Sequence, residues 1–384
     1  MEPLQQRSWA IAITARATYL KPWYEGFAAA MPPEWRALLI CPVDEAGDHP
    51  RDLTTPVHPN LTIHEIPAAR RTLSSGGGHT AQHYGARHRW LPDSRISAAM
   101  DAAACGGLIA HEFSPFTLTA LLHAKRRRLP VVSFGDVGRD NAAAYPWQTR
   151  LWHLIWSAFI DGRMAGCPAS RVPVSGSRLP FVESYHAVDS REFTPMPKPP
   201  AQPVTFVFSG QLIERKGLDL WFQAAARLLQ AGHDDFRLRV VGGGDETWAR
   251  RCAEGAGVAE RVEWTGFLQR DAMKQALGTA DVFVLPSRFD SYAVVVHEAA
   301  CLGLPLLVSR HAGAAEAIVE EGINGWKLDP FDSADFAARM TAMLDSATRT
   351  RTRLGAAARV QGEKLCARRR GAAVWQWITD TYLN

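Results

Sequence analysis

Long apolar runs and paired cysteines are missing from this sequence, and its first residues do not predict an export signal. No stretch of the 384 residues approaches eighteen uninterrupted apolar residues, so a membrane-spanning helix is not expected. The six cysteines occur without any C-x-x-C spacing, which argues against a zinc site and against a disulfide framework. The first residues, MEPLQQRSWAIAIT, include an acidic second position and no small-residue cleavage pattern, so we expect a cytoplasmic protein.

Excess charge is also small, with a net of +4, but the basic residues are concentrated in two stretches. These are HAKRRRLP (His123–Pro130) and TRTRTRLGAAARVQGEKLCARRRG (Thr348–Gly371). Such stretches are typical of solvated helix faces. The sharper alternative is attraction to a phosphorylated partner or to an anionic membrane, as a peripheral contact at the inner face of the plasma membrane. Neither stretch has interleaved aromatic residues, so nucleic acid is not an expected partner.

Short apolar runs alternate with longer helical patterns along the whole chain. In the first half the runs include WAIAIT, RALLICP, LTIHEIP, GGLIAHE and LPVVSFG, and in the second half VTFVFSG, FRLRVVGGG, RVEWTGF, ADVFVLPS and LPLLVS. Runs in this order are what parallel sheets with crossover helices require. We therefore predict an α/β protein with two doubly wound, Rossmann-like domains that face each other across a cleft.

Proline marks the boundary between these domains, with five prolines between Pro195 and Pro203. We predict domains at 1–195 and 196–365. The tail, 366–384, is predicted to be a helix that packs back on the first domain. The Gly-rich stretch 71–93 has no clear periodicity and is predicted to be a loop.

Three turns of the second half carry candidate chemistry, because ligands of open α/β sheets bind at the carboxyl ends of the strands. In SGQLIERKGLDL, Lys216 precedes a helix start, where free N–H groups favour a phosphate. A plain surface lysine is the equal alternative. The glycines of VVGGGDE permit close approach of a ligand, but they lack the last glycine of a dinucleotide fingerprint.

The third turn, PSRFDSYAVVVHEAA, predicts a helix that starts near Tyr292 with Asp290 or Ser291 as its N-cap. Glu298 then lies inside an apolar helix, where a carboxylate needs a hydrogen-bonding partner such as a ribose hydroxyl. The residues alone leave open a second interpretation, in which Glu298 pairs with an arginine and Asp290 only caps the helix.

Together these blocks resemble the retaining glycosyltransferases of the GT-B fold, specifically glycosyltransferase family 4, over about 130 residues of the second half. FSGQLIERKGLDL, LRVVGGGDE, VEWTGFLQRDAM and ADVFVLPSRFDSYAVVVHEAACLGLPLLVS follow the family's order. The resemblance is weaker in the first half, where YHAVDSREF is similar to the block before the interdomain linker. It implies an acceptor-side first domain and a nucleotide-sugar-binding second domain.

The resemblance also implies roles for individual residues. The paired acids of the family fall on Asp290 and Glu298, which would orient the sugar and the ribose, and its phosphate lysine falls on Lys216. An active-site histidine of the family would fall near Asp136, and His111 is the nearest histidine at a strand end. The full donor set is Gly210, Gln211, Arg215, Lys216, Gly242, Gly243, Phe267, Leu268, Asp290, Ser291, Tyr292, Ala293, Val294 and Glu298.

Four departures from the family pattern stand out. Gln211 replaces a common arginine, for which Arg215 would compensate. Asp290 replaces a glutamate, no glycine pair follows the first strand, and Asp136 stands in place of the histidine.

The implied reaction moves a hexose from a UDP- or GDP-linked donor to a hydroxyl of a glycan or lipid-linked acceptor, with retention of configuration, in bacterial cell-surface polysaccharide synthesis such as that of lipopolysaccharide. No D-x-D triplet is present, so neither a metal nor another cofactor is expected. The alternatives are a non-catalytic scaffold or glycan-binding partner, an epimerase or phosphorylase on the same fold, and a basic lipid- or nucleic-acid-binding protein.

Overall fold

The computed structural model describes residues 7–13, 20–43, 58–67, 70–73, 87–111, 113–197 and 203–384. The strands are β1 (Arg7–Ala12), β2 (Trp35–Val43), β3 (Leu61–Pro67), β4 (Arg70–Leu73), β5 (Arg87–Trp90), β6 (Cys105–His111), β7 (Val131–Gly135), β8 (Gly162–Ala165), β9 (Phe181–Glu183), β10 (Val204–Ser209), β11 (Phe236–Val241), β12 (Val262–Gly266), β13 (Val282–Leu285), β14 (Leu306–Ser309) and β15 (Gly325–Leu328). The helices are α1 (Lys21–Ala29), α2 (Arg95–Ala102), α3 (Pro115–Arg126), α4 (Trp147–Ser157), α5 (Leu218–Gln230), α6 (Glu246–Gly255), α7 (Arg270–Gly278), α8 (Val294–Cys301), α9 (Gly313–Ile318), α10 (Ser333–Asp345), α11 (Thr348–Lys364) and α12 (Ala367–Ile378).

These elements form two compact units. Unit 1 holds the described residues up to Val188 together with Ala367–Asn384, and unit 2 holds Asp189–Cys366 without its undescribed positions. The predicted boundaries, at 195/196 and 365/366, differ from these divisions by seven residues and by one residue. The first difference arises because Asp189–Pro197 contacts unit 2, as when Arg359 donates to the Phe193 carbonyl.

Unit 1 is built on a parallel sheet with the strand order β3-β2-β1-β6-β7-β8-β9. Apolar side chains on both faces of the strands explain the two layers of core. One face packs against α1 and α12 through Trp23, Phe27 and Trp375, and the other packs against α3 and α4 through Phe116 and Trp156. The strand order reverses between β1 and β6, which makes their carboxyl ends the switch point of the sheet.

The tail of the chain completes unit 1. Helices α1 and α12 touch backbone to backbone, since a Cβ on Gly26 would lie 2.4 Å from the Arg368 carbonyl oxygen and one on Gly371 would lie 2.4 Å from the Phe27 nitrogen. Arg368 also donates to the buried carboxylate of Glu25 over 2.7 Å. Glycine is therefore needed on both helices for this contact.

Unit 2 repeats the architecture with the strand order β12-β11-β10-β13-β14-β15, all parallel. Its order reverses between β10 and β13, which pair through Phe206 with Val282 and Val207 with Phe283. The loops that follow β10 and β13 therefore flank the switch point of this sheet.

The ten predicted strands are all present, which confirms the predicted α/β class. The predicted loop 71–93 is wrong at both ends, where β4 and β5 form an antiparallel pair, and 74–86 lies outside the described residues. Three further strands, β8, β9 and β15, were not predicted because they are only three or four residues long and include polar side chains. None of the described helices combines the length and the apolar composition that a bilayer span requires.

Candidate functional site

Hydrogen bonds and an ion pair connect the loops after β10 and β13 at the switch point of unit 2. The Arg288 amide donates to the Arg215 carbonyl over 2.9 Å. Its guanidinium makes two hydrogen bonds of 2.7 Å to the carboxylate of Asp219, at the start of α5. A bidentate pair of this kind fixes orientation as well as distance. The two loops therefore form one structural piece.

Glycines let a third loop, after β11, join this piece. Gly242 has a φ of 143°, and a Cβ at this position would lie 1.9 Å from the Gly210 carbonyl oxygen. Gly243 accepts a hydrogen bond from the Leu212 amide over 2.9 Å. The glycine-rich turn thus has a structural reason, since it packs backbone against backbone on the loop that contains Gly210 and Gln211.

Three charged side chains meet between the β10 and β13 loops, and we call Arg215, Lys216 and Asp290 the cationic cluster. Lys216 Nζ lies 2.5 Å from Asp290 Oδ2, and Arg215 Nη1 lies 3.5 Å from the same oxygen and donates to the Phe289 carbonyl over 2.8 Å. Arg215 and Asp290 are buried, and the Lys216 side chain is 12% exposed. Two cations around one carboxylate leave a net positive charge, which suits an anion.

The start of α8 differs from the prediction. The helix begins at Val294, not near Tyr292, and neither Asp290 nor Ser291 caps it. Its N-cap is Ala293, whose φ of 71° lies in the left-handed region and whose side chain has no capping oxygen. Asp290 cannot cap because its carboxylate points to Lys216. Its backbone instead pairs with the loop after β14, where its amide donates to the His311 carbonyl over 3.0 Å. The N-cap residue of α8 therefore offers no side-chain acceptor to the first N–H groups of the helix.

Glu298 lies one turn further along α8 and is partly buried. Burial raises the pKa of its carboxyl from 4.5 to about 7, an effect that the positive charge of Arg270 opposes. Among the described residues, no hydrogen bond or salt bridge reaches this carboxylate, and Arg270 instead forms an ion pair with Glu192. The described residues thus show no direct ion pair between Glu298 and an arginine, although Arg270 is near enough to act on its charge.

The remaining predicted donor residues lie around the same edge with different exposure. Gln211 is exposed, and Phe267, in the loop after β12, is 74% exposed. A Cβ on Gly243 would lie 3.5 Å from the Cβ of Phe267, so the base of this side chain lies beside the glycine turn. Leu268, Ser291 and Val294 are partly buried, and Tyr292 is buried. The structure thus brings the predicted set together at the carboxyl edge of one sheet.

A second polar group occupies the corresponding edge of unit 1, after β7. His186 Nε2 lies 2.9 Å from Asp136 Oδ1, and the Asp136 carbonyl accepts from the Asn141 amide nitrogen over 2.7 Å. A Cβ on Gly166 would lie 2.3 Å from Asp136 Oδ1, so the carboxylate can occupy this position only because residue 166 is glycine. His186 was not identified from sequence, although the block YHAVDSREF contains it. Its partner is 50 residues away along the chain.

His111 ends β6 and lies close to this pair. Its ring centroid is 4.6 Å from that of Phe134 and 6.5 Å from that of His186. Burial, aided by His186, lowers the pKa of His111 to about 3, so its imidazole is neutral at physiological pH. Within the described residues Nδ1 has no hydrogen-bond partner. The part of the chain that the structure describes contains no group of three or more His, Cys, Asp or Glu residues that could hold a metal ion.

Comparison with known proteins shows which family the segment around this site resembles. The family described as "Glycosyl transferases group 1" matches residues 189–361, the segment that contains the cationic cluster and Glu298. Almost all of unit 2 is therefore similar to this family. The putative colanic acid biosynthesis glycosyltransferase WcaL of Escherichia coli K12 is 33% identical over 187 residues. That match covers 46% of this chain and 43% of WcaL, so the chain spans less than half the length of this curated relative.

Solved structures extend the likeness from unit 2 to the whole chain. Sucrose-phosphate synthase from Thermosynechococcus elongatus superposes with a TM-score of 0.70 at 14% identity, covering 98% of this chain and 99% of that one. Anabaena HepE, in complex with UDP and glucose, superposes with a TM-score of 0.68 at 13% identity, covering 98% of this chain and all of the other. At such identities the likeness is one of fold, and it confirms the predicted GT-B fold.

Proposed function

We propose that this protein is a glycosyltransferase that moves a sugar from a nucleotide-diphosphate sugar to a hydroxyl of a glycan or lipid-linked acceptor, with retention and without a metal. The observation that carries the proposal is the cationic cluster, buried at the switch point of unit 2. The complex of HepE with UDP and glucose supports a nucleotide-sugar donor. The similarity to WcaL, which is named for colanic acid biosynthesis, supports a role in bacterial surface polysaccharide synthesis.

In this proposal the departing diphosphate binds at the cationic cluster. One N–H of the Lys216 ammonium bonds to Asp290, which leaves two N–H groups for phosphate oxygens. The first amides of α8 would add donors and a favourable dipole. Charge that develops on the leaving group is stabilised by donors already in place, which is the main catalytic effect available here. Asp290 would orient the sugar, and Glu298 would accept from the ribose hydroxyls.

Unit 1 would bind the acceptor. Asp136 is 26% exposed and is held by His186, so it can accept a hydrogen bond from an acceptor hydroxyl. His111, which is neutral, offers either a donor or an acceptor nitrogen beside the pair. The pair and His111 then position an uncharged hydroxyl, whereas the cluster in unit 2 binds an anion.

The test is a panel of UDP-glucose, UDP-galactose and GDP-mannose, with nucleotide release measured without acceptor and sugar transfer measured with a lipid extract as acceptor source. We expect nucleotide release only from donors that carry one of the two bases, uracil or guanine. NMR of the transfer product should show the anomeric configuration of the donor. Inversion would contradict the retaining mechanism. If a nucleotide sugar binds but no donor releases its nucleotide or transfers its sugar, the proposed enzyme activity is contradicted. That result would favour the non-catalytic scaffold.

A further inference from the structure

Helix α4 of unit 1 presents an apolar face that the described part of the chain leaves uncovered. Trp147, Leu151, Leu154, Ile155 and Phe159 are between 42% and 62% exposed. We call these five residues the α4 face. Their spacing of three, four and seven residues puts them on one side of the helix and its C-terminal extension.

The opposite side of α4 is fixed to the core. Trp156 is buried in the core cluster beneath the helix, and Trp152 Nε1 donates to the Phe113 carbonyl over 2.9 Å. Rotation of the helix would expose these tryptophans, so the α4 face cannot turn inward. A contiguous apolar patch of this kind on a folded protein indicates an interaction surface.

Basic residues without acidic partners flank the α4 face. Arg150 is exposed on α4 itself, and α4 contains no Asp or Glu. Lys125 Nζ lies 2.6 Å from Asp161 Oδ2, which brings the end of α3 to the residue two positions beyond Phe159. Arg126 and Arg128 are therefore near this end of the face, and both are exposed with no acidic side chain at ion-pair distance among the described residues.

The other basic stretch, Thr348–Gly371, differs from this surface. Several of its arginines make contacts within their own unit. Arg359 donates to the Cys301 carbonyl over 2.6 Å, Arg368 pairs with Glu25, and Arg370 lies 4.9 Å from the centre of the Tyr185 ring. In α11, Val360 is the one large apolar side chain that is exposed. Basic charge and apolar surface therefore coincide at α4 and not in the tail.

We propose that the α4 face, with Arg126, Arg128 and Arg150, binds the surface of an anionic lipid bilayer. Tryptophan, leucine and isoleucine enter the boundary between headgroups and acyl chains, while arginines at the rim meet the lipid phosphates. A second copy of the chain fits less well, because pairing of two α4 faces would bring unpaired arginines together with no acidic residue on either helix. This inference does not rest on the proposed transferase activity.

The test is flotation of the full chain with vesicles of phosphatidylcholine alone and of equal parts phosphatidylcholine and phosphatidylglycerol. We expect wild type to float with the anionic vesicles. Leu154→Glu should lower that binding by more than about tenfold, because an apolar contact is replaced by a charge repelled from the membrane. The double variant Arg126→Gln with Arg150→Gln should lower it by about tenfold or more at low salt and by less at high salt.

Controls of the same chemistry come from unit 2. Val360→Glu adds a charge at another exposed apolar helical position, and Arg349→Gln removes another exposed arginine, so both should float as wild type does. Because all of these side chains are exposed, thermal unfolding should be unchanged in each variant. The proposal is overturned if wild type does not float, if Leu154→Glu floats as wild type does, or if Leu154→Glu dissociates a dimer while wild type ignores vesicles.

Discussion

The two units carry different polar groups at the carboxyl edges of their sheets, although the sheets are wound in the same way. At the edge of unit 2, two cations surround one carboxylate, and a glycine turn closes over the loop beside them. At the edge of unit 1, one carboxylate meets a histidine, with a second, neutral histidine nearby. The topology thus supplies the same position in both units, and a few side chains give the two positions different charge.

The first way to test this comparison is to disrupt the glycine turn of unit 2. Gly242→Ala should destabilise unit 2 by about 4 kcal/mol, because its Cβ would overlap the Gly210 carbonyl and its φ is unfavourable for alanine. Urea unfolding measures this. Gly255→Ala is the control, since a Cβ there has no neighbour within 4 Å and lies in a helix. Equal stability of the two variants would contradict the packing described.

A second prediction concerns the carboxylate that the cations share. Asp290→Asn should lower the free energy of unfolding by about 3 kcal/mol, because Arg215 and Lys216 lose the buried carboxylate that they share. Asp219→Asn breaks a more exposed ion pair in the same loops and should cost about 1 kcal/mol. A loss at Asp290 no larger than that at Asp219 would show that the cluster does not need its carboxylate.

A glutamate at position 290 keeps the negative charge on a longer side chain, so its effects on stability and on activity can be measured separately. Asp290→Glu keeps the pair with Lys216 but moves the carboxylate by one methylene, so we expect stability close to wild type and transfer reduced by about tenfold. Full activity would mean that the pocket is not built around the shorter acid.

The third prediction uses the titration of Glu298. Its pKa is raised from 4.5 to about 7, so the folded state binds more protons than the unfolded state within this range. The stabilisation from this group is full below the lower value and is lost as the pH rises through the higher one, by about 3 kcal/mol. Glu298→Gln should remove that decline in urea unfolding, whereas Glu254→Gln, on an exposed helix face, should retain it. A decline that persists in Glu298→Gln would place its origin elsewhere.

The smallest effect is expected at unit 1. His186→Gln leaves Asp136 without its imidazole partner, so transfer to acceptor should fall by about tenfold through a higher acceptor KM, while donor hydrolysis is unchanged. His123→Gln disrupts another His–Asp pair of the same unit, with Asp101, and should leave both rates as they are. Equal losses of hydrolysis and transfer would assign His186 a purely structural role.

The sequence predicted more of the fold than of the site. Apolar runs separated by helical patterns identified ten strands, because burial on both faces of a parallel strand leaves a strong local signal. The shortest strands, such as β8 and β9, carry no such signal and are defined by pairing with their neighbours.

At the candidate site, the sequence could select residues but could not show which of them contact each other. Lys216 and Asp290 were both selected, but their contact joins positions 74 residues apart and depends on how the two loops fold. For the same reason the helix start was misplaced, since Asp290 was given a capping role that its contact with Lys216 prevents. His186 was missed because only its contact with Asp136 distinguishes it.

The most direct test of the proposed diphosphate site is calorimetric titration of UDP and GDP, each beside its nucleoside, into wild type, Lys216→Ala and Lys274→Ala. Lys274 pairs with Asp271 on an exposed surface of the same unit and serves as the matched control. We predict that one nucleoside diphosphate binds far more tightly than its nucleoside, and that only Lys216→Ala loses this advantage, by about a hundredfold. Binding of that diphosphate by Lys216→Ala with wild-type affinity would contradict the assignment of the cationic cluster as the diphosphate site.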